Sequence, residues 1–137
     1  MNEVQAQLRE LKEEVAKLLA EKKRRKERNK LAAYCPYPKQ MDFHAEGQRF
    51  RERLFMAGNQ LGKTFSGGAE TAFHLTGRYP DDWDGRRFPK PVRAWAGGVT
   101  GETTRATVQR ILIGPAEREE DYGTGAIPGD CIIEYTS

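Results

Sequence analysis

A chain of 137 residues holds one domain at most and is short for a complete doubly wound nucleotide-binding domain, so it reads as part of a longer protein. Charged residues make up 31% and apolar ones 37%, which leaves a thin core but excludes disorder throughout, because Trp83, Trp95 and scattered β-branched residues are present. The net charge of +3 is concentrated: residues 21 to 30 carry seven Lys or Arg against Glu21 and Glu27, which is +5 and leaves −2 elsewhere.

Val4, Leu8, Leu11, Val15 and Leu18 recur at intervals of four and three, and predict one amphipathic helix from residue 3 to about 28. The seam is short for a self-sufficient coiled coil, so this helix needs a partner or the domain behind it. Lys22 falls where the next seam residue belongs. The run that follows offers Lys22, Lys23, Arg24, Arg25, Lys26 and Arg28 as DNA phosphate contacts, or equally as a solvated helix end whose cations complement the dipole. Pro36 and Pro38 end the helix and put a boundary near residue 33, dividing an N-terminal helix (1–33) from a domain over 34–137. Just beyond them, Gln40 carries an amide donor and acceptor beside Tyr37 and Phe43, a combination able to read and stack an adenine ring, or is an ordinary polar residue on the first turn of a short helix.

The apolar run Leu54-Phe55-Met56 reads as a buried strand, and Phe65 to Leu75 continues as a helix. Between them lies Ala57-Gly58-Asn59-Gln60-Leu61-Gly62-Lys63-Thr64, placed as a phosphate-binding loop is, although Ala57 stands where that motif has glycine. Gly62 allows close backbone approach to an anion, Lys63 reaches the β and γ phosphates of ATP, and Thr64 offers its hydroxyl to Mg²⁺. Gly67-Gly68 weakens the helix unless close packing on a sheet requires it. Gly77 and Pro80 terminate it. Arg86 and Arg87 in the loop that follows are read as meeting nucleic acid or pairing with Asp82 and Asp84, the pairing being favoured because acid and base nearly balance.

Val92 to Thr100 reads as a second strand, Thr100 as the N-cap of a helix over 101–112, and Cys131 to Tyr135 as a third strand after an irregular, glycine-rich stretch. Strand and helix in alternation imply an α/β fold: a partial P-loop NTPase domain with a parallel sheet and crossover helices, preceded by the long N-terminal helix. His44 and His74 have no carboxylate or cysteine at a ligand spacing and read as surface or satisfied core residues. Cys35 and Cys131 are unpaired in spacing and read as reduced thiols. No run of about 18 apolar residues occurs.

Tyr37-Pro38-Lys39-Gln40 with Phe43-His44, Arg53 through Thr64, His74 through Pro80, and Trp95 to Gln109 together resemble the N-terminal ATPase domain of the large terminase subunit of tailed bacteriophages. The resemblance implies an ATP-driven motor that threads double-stranded DNA into a procapsid in the host cytoplasm. With it come an attached endonuclease, a small terminase subunit, a portal protein and possible homo-oligomers. It makes Gln40 the adenine-reading glutamine, and Lys63 and Thr64 the phosphate and Mg²⁺ contacts. Asn59 stands where such proteins often have arginine, and no apolar run ending in Asp-Glu follows the loop, so the water-activating acid is missing. ATP binding without competent hydrolysis is the leading expectation. The alternative is a non-catalytic adaptor whose N-terminal basic helix binds a partner protein or DNA; an unrelated small P-loop kinase or helicase is disfavoured by the same missing acid.

Overall fold

The computed structural model describes residues 2–58, 62–115 and 117–135. Four helices organise them: α1 (Glu3–Glu27), α2 (Pro38–Ala45), α3 (Lys63–Thr76) and α4 (residues 101–112). Within α4, a wider π-type stretch over Thr104–Gln109 separates two α-helical turns. Among the described residues no helix is long and apolar enough to cross a membrane.

The ends of α3 follow from its glycines. Gly62 (φ +72°) precedes the first turn in the left-handed region, and Gly77 (φ +69°) closes the last, its N–H donating to the Phe73 carbonyl at 2.8 Å. Proline at the first position of α2 costs that helix no hydrogen bond. Thr100 caps α4 by accepting from the Thr103 N–H at 3.1 Å, as its sequence position predicts.

Leu31, Ala69, Ala72, Phe73 and Ala126 form the core, with Tyr34, Tyr79, Trp83 and Ile127 packed around it. Three of the five belong to α3, which is the hub. The irregular stretch after α4 folds back to satisfy the end of that helix: the N–H groups of Ala126 and Ile127 donate to the carbonyls of Ile111 and Leu112 at 2.7 and 2.9 Å.

The expected parallel sheet does not form. Among the described residues there is no strand, so the α/β, P-loop NTPase reading of the fold is corrected to an all-helical one. The first expected strand has no regular secondary structure, yet keeps the in-and-out side-chain alternation of an extended segment. Phe55 turns inward to stack on Phe43 at 4.6 Å, while Leu54 and Met56 are each 82% exposed. Trp95, Val99 and Ile133, from the second and third expected strands, are at least 97% exposed. Apolar composition marks these segments as suited to a sheet, but a strand exists only when a neighbour completes its hydrogen-bond ladder, and none of them meets another.

Instead, a buried carboxylate joins the pieces. Glu70 of α3 accepts from Arg53 of the extended segment, from His44 Nδ1 of α2 at 2.6 Å and from His74 Nε2 one turn on at 3.3 Å. Because an ionised carboxylate only accepts, both imidazoles present an N–H to it. Their other nitrogens are hydrogen-bonded to the hydroxyls of Tyr34 (2.9 Å) and Tyr79 (2.8 Å). His44, at 2% exposure, is thus the satisfied core histidine anticipated from sequence. Burial pushes the Glu70 carboxyl up, but the hydrogen bonds from His44, His74 and Arg53, with the Arg53 charge, outweigh it and hold it well below the carboxylate range.

The glycine pair of α3 is also re-explained. A Cβ on Gly68 would meet Ile111 Cγ2 of α4 at 2.6 Å, whereas one on Gly67 meets nothing within 4 Å and faces an open cavity. The close approach is to a helix, not to a sheet. Gly67→Ala is expected to raise stability by about 1 kcal/mol and Gly68→Ala to lower it by about 1–3 kcal/mol in denaturant titrations.

Glu70→Gln should cost about 3–5 kcal/mol near neutral pH, since it leaves Arg53 and two imidazoles facing an uncharged amide. In the parent chain the folded pKa of Glu70 is depressed, so its stabilisation is complete above the ordinary carboxylate value of 4.5 and is lost as pH falls below it. The Glu70→Gln variant should show a shallower acid limb when unfolding is followed against pH.

Candidate docking helix and basic cleft

Of the residues expected to bind a nucleotide, the described ones are held differently from that expectation. Ala57 and Gly58 lie outside any helix or strand; Asn59, Gln60 and Leu61 fall outside the described residues. Lys63 turns back on the preceding segment, its Nζ donating to the Ala57 carbonyl at 3.0 Å. Thr64 is exposed on the first turn of α3. Gln40, 5% exposed, uses its side-chain oxygen to accept from the Tyr37 N–H at 2.9 Å, which caps the start of α2.

As placed, the described residues of this set do not fit ATP and Mg²⁺. The glutamine's acceptor is already occupied, the lysine ammonium is bonded to main chain, and among the described residues there is no sheet edge to present a phosphate loop. Without strands the ATP-binding, P-loop (Walker A) and hydrolase reading is corrected: the described residues form no nucleotide-binding fold. Local sequence specified a glycine turn before a helix, which is present, but a phosphate cradle also needs the preceding strand fixed in a sheet.

The feature that stands out is α1. None of its 25 residues is buried, and Val4, Leu8, Leu11, Val15, Leu18 and Leu19 are each 47–65% exposed along it. The four-three spacing aligns five of these on one face. Past Leu19 the helix turns basic. Glu21 accepts from Arg25 at 2.9 Å and Arg24 at 3.0 Å, and Glu27 lies 3.9 Å from Lys23. These exposed pairs contribute little to stability, each about 0–1 kcal/mol. Two acids serve seven cations here, so the surface stays strongly positive.

Arg28 differs from the other cations of the run. Its guanidinium donates to the carbonyls of Glu120 (2.7 Å) and Tyr122 (3.1 Å), and its own carbonyl accepts from the Gly129 N–H at 3.0 Å. It is the clamp between the projecting helix and the body, a role that only the folded chain reveals. Where helix meets body, an open cleft of about 650 Å³ is lined by Lys23, Lys26, Lys30, Tyr34, Tyr37 and Phe65, among others. The two other arginines of note are likewise spoken for: Arg87 donates to the Pro80 carbonyl and Arg86 lies over the Phe88 ring, so neither makes the expected pair with Asp82 or Asp84. Among the described residues no cluster of three or more His, Cys, Asp or Glu could hold a metal.

Residues 54–136 match the family model "Terminase large subunit, T4likevirus-type, N-terminal". The chain is also 45% identical to the terminase large subunit of Salmonella phage P22, over 89% of this chain and 27% of that protein. It therefore spans about a quarter of the length of the curated relative it matches. No solved structure matches it.

Replacing Arg28 by Ala should free α1 from the body. We expect a loss of about 1.5–3 kcal/mol, the usual contribution of hydrogen bonds to a charged group, and faster amide exchange over residues 119–129. Lys22→Ala, which touches neither, should leave both unchanged.

Proposed function

The chain belongs to the family of phage terminase large subunits, and from that premise we propose that it serves the complete protein as a non-catalytic adaptor whose N-terminal helix docks the packaging machinery. The observation that carries this is the unburied length of α1, with its apolar face turned to solvent and its base clamped by Arg28. An apolar stripe of this size is normally covered, and its exposure marks an interaction surface. The small terminase subunit and the portal protein are the partners of choice, in the host cytoplasm. ATP and Mg²⁺ use belongs, in this proposal, to the full-length subunit and not to these residues alone.

A second reading is favoured by the cations themselves. Lys22, Lys23, Arg24, Arg25 and Lys26, with Lys30 beside them in the cleft, form a surface able to meet phosphates of double-stranded DNA. It adds to the protein contact without replacing it, since phosphates leave the leucines uncovered.

Leu11→Asp combined with Leu18→Asp should weaken capture of purified small terminase subunit or portal protein at least tenfold, while the melting temperature stays within a few degrees because neither leucine is packed. Undiminished capture by this double variant would overturn the adaptor reading. DNA affinity that keeps its salt dependence after removal of residues 1–30 would end the second reading.

A further inference from the structure

We propose that the occupant of α1 is an acidic amphipathic helix of another protein, apolar over its first contact turns and carboxylate-bearing where it passes the base of α1. This rests on the docking reading above and names the chemistry of the partner.

The seam supplies the argument. In the regular helix Glu3–Glu27, Val4, Leu8, Leu11, Val15 and Leu18 occupy one face, and continuing the seven-residue repeat from Val15 and Leu18 reaches Lys22 and Arg25. The face that begins as leucine and valine therefore ends in two cations. Both side chains stand in solvent: Lys22 pairs with neither local acid, Arg25 shares Glu21 with Arg24 in an exposed ion pair, and Glu27 lies beside Lys23, so two acids leave this end of the face net positive. A helix laid along the whole face meets an apolar strip and then a positive one. Carboxylates at its far end answer the second strip, and leucines at its near end answer the first.

The other occupants fit less well. A second copy in parallel sets Lys22 on Lys22 and Arg25 on Arg25 at the contact. Turned antiparallel in the register that keeps Leu8, Leu11, Val15 and Leu18 in opposed layers, it brings Glu14 near its own counterpart and Lys12 near its own. Nucleic acid answers the cations and ignores the six exposed apolar side chains. Only an acidic amphipathic helix satisfies both halves of the face with one element.

The test uses the full 137-residue chain and two labelled synthetic helices. Both carry leucine at the seam positions over two heptads; one has glutamate, the other lysine, where the helix faces Lys22 and Arg25. Fluorescence anisotropy should find the glutamate peptide bound at least tenfold more tightly at low salt, with the margin shrinking at high salt. Lys22→Glu with Arg25→Glu should reverse the preference, and Leu11→Asp with Leu18→Asp should abolish binding of both peptides. Equal binding of the two peptides, or none, overturns the proposed partner chemistry. So does sedimentation of the chain alone as a dimer that Leu11→Asp dissociates, or a DNA duplex that displaces the bound glutamate peptide while the leucine variants leave duplex binding intact. Capture of the small terminase subunit or portal protein by the parent chain, tested alongside, separates the readings. If that capture depends on the leucines while the peptides fail, docking stands and only the acidic partner falls.

Discussion

The Glu70 carboxylate is the constraint on which the rest of this body depends. It sits in the middle of α3 with almost no solvent contact, and a charge so placed is tolerable only when fully partnered. Its partners come from three parts of the chain: His44 from α2, Arg53 from the extended segment, His74 from its own helix. Each imidazole is held from behind by a tyrosine hydroxyl, so Tyr34 and Tyr79 are positioned by the same charge. Phe73 packs beside both tyrosines and Trp83, which links the polar network to the apolar core.

This arrangement explains how so thin a core holds an extended segment in place without a sheet. Arg53 lies over the Phe43 ring at 4.4 Å and donates to the Phe43 carbonyl, while Phe55 stacks on that same ring. The extended backbone is thereby fastened through alternate side chains. Leu54 and Met56 on its other face remain uncovered.

The projecting helix is independent of all this. No residue of α1 enters the core, and its connection to the body is the Arg28 clamp with Leu31 buried just beyond it. A body with an amphipathic helix anchored outside its core suits the proposed adaptor role. Docking can then be gained or lost without disturbing the fold, because the surfaces responsible share no side chains.

What the sequence by itself determined are the features whose causes are local. The helical repeat of residues 3 to 27, the glycines bounding α3, the Thr100 cap and the basic run could all be read from residues within a turn or two of one another. The ordered motifs from Tyr37 to Gln109 likewise pointed to the terminase family, which the comparisons bear out. Only the tertiary structure decided whether the apolar runs pair as strands, what Gln40 and Lys63 bond to, and that Arg28 is a clamp while its basic neighbours stay at the surface. It also decided that Glu70 gathers His44, Arg53 and His74, which lie 26, 17 and 4 residues away in sequence. The physical reason is that a helix closes its own hydrogen bonds with neighbours in the chain, whereas a strand, a buried charge and a ligand cradle are completed by groups brought in from a distance.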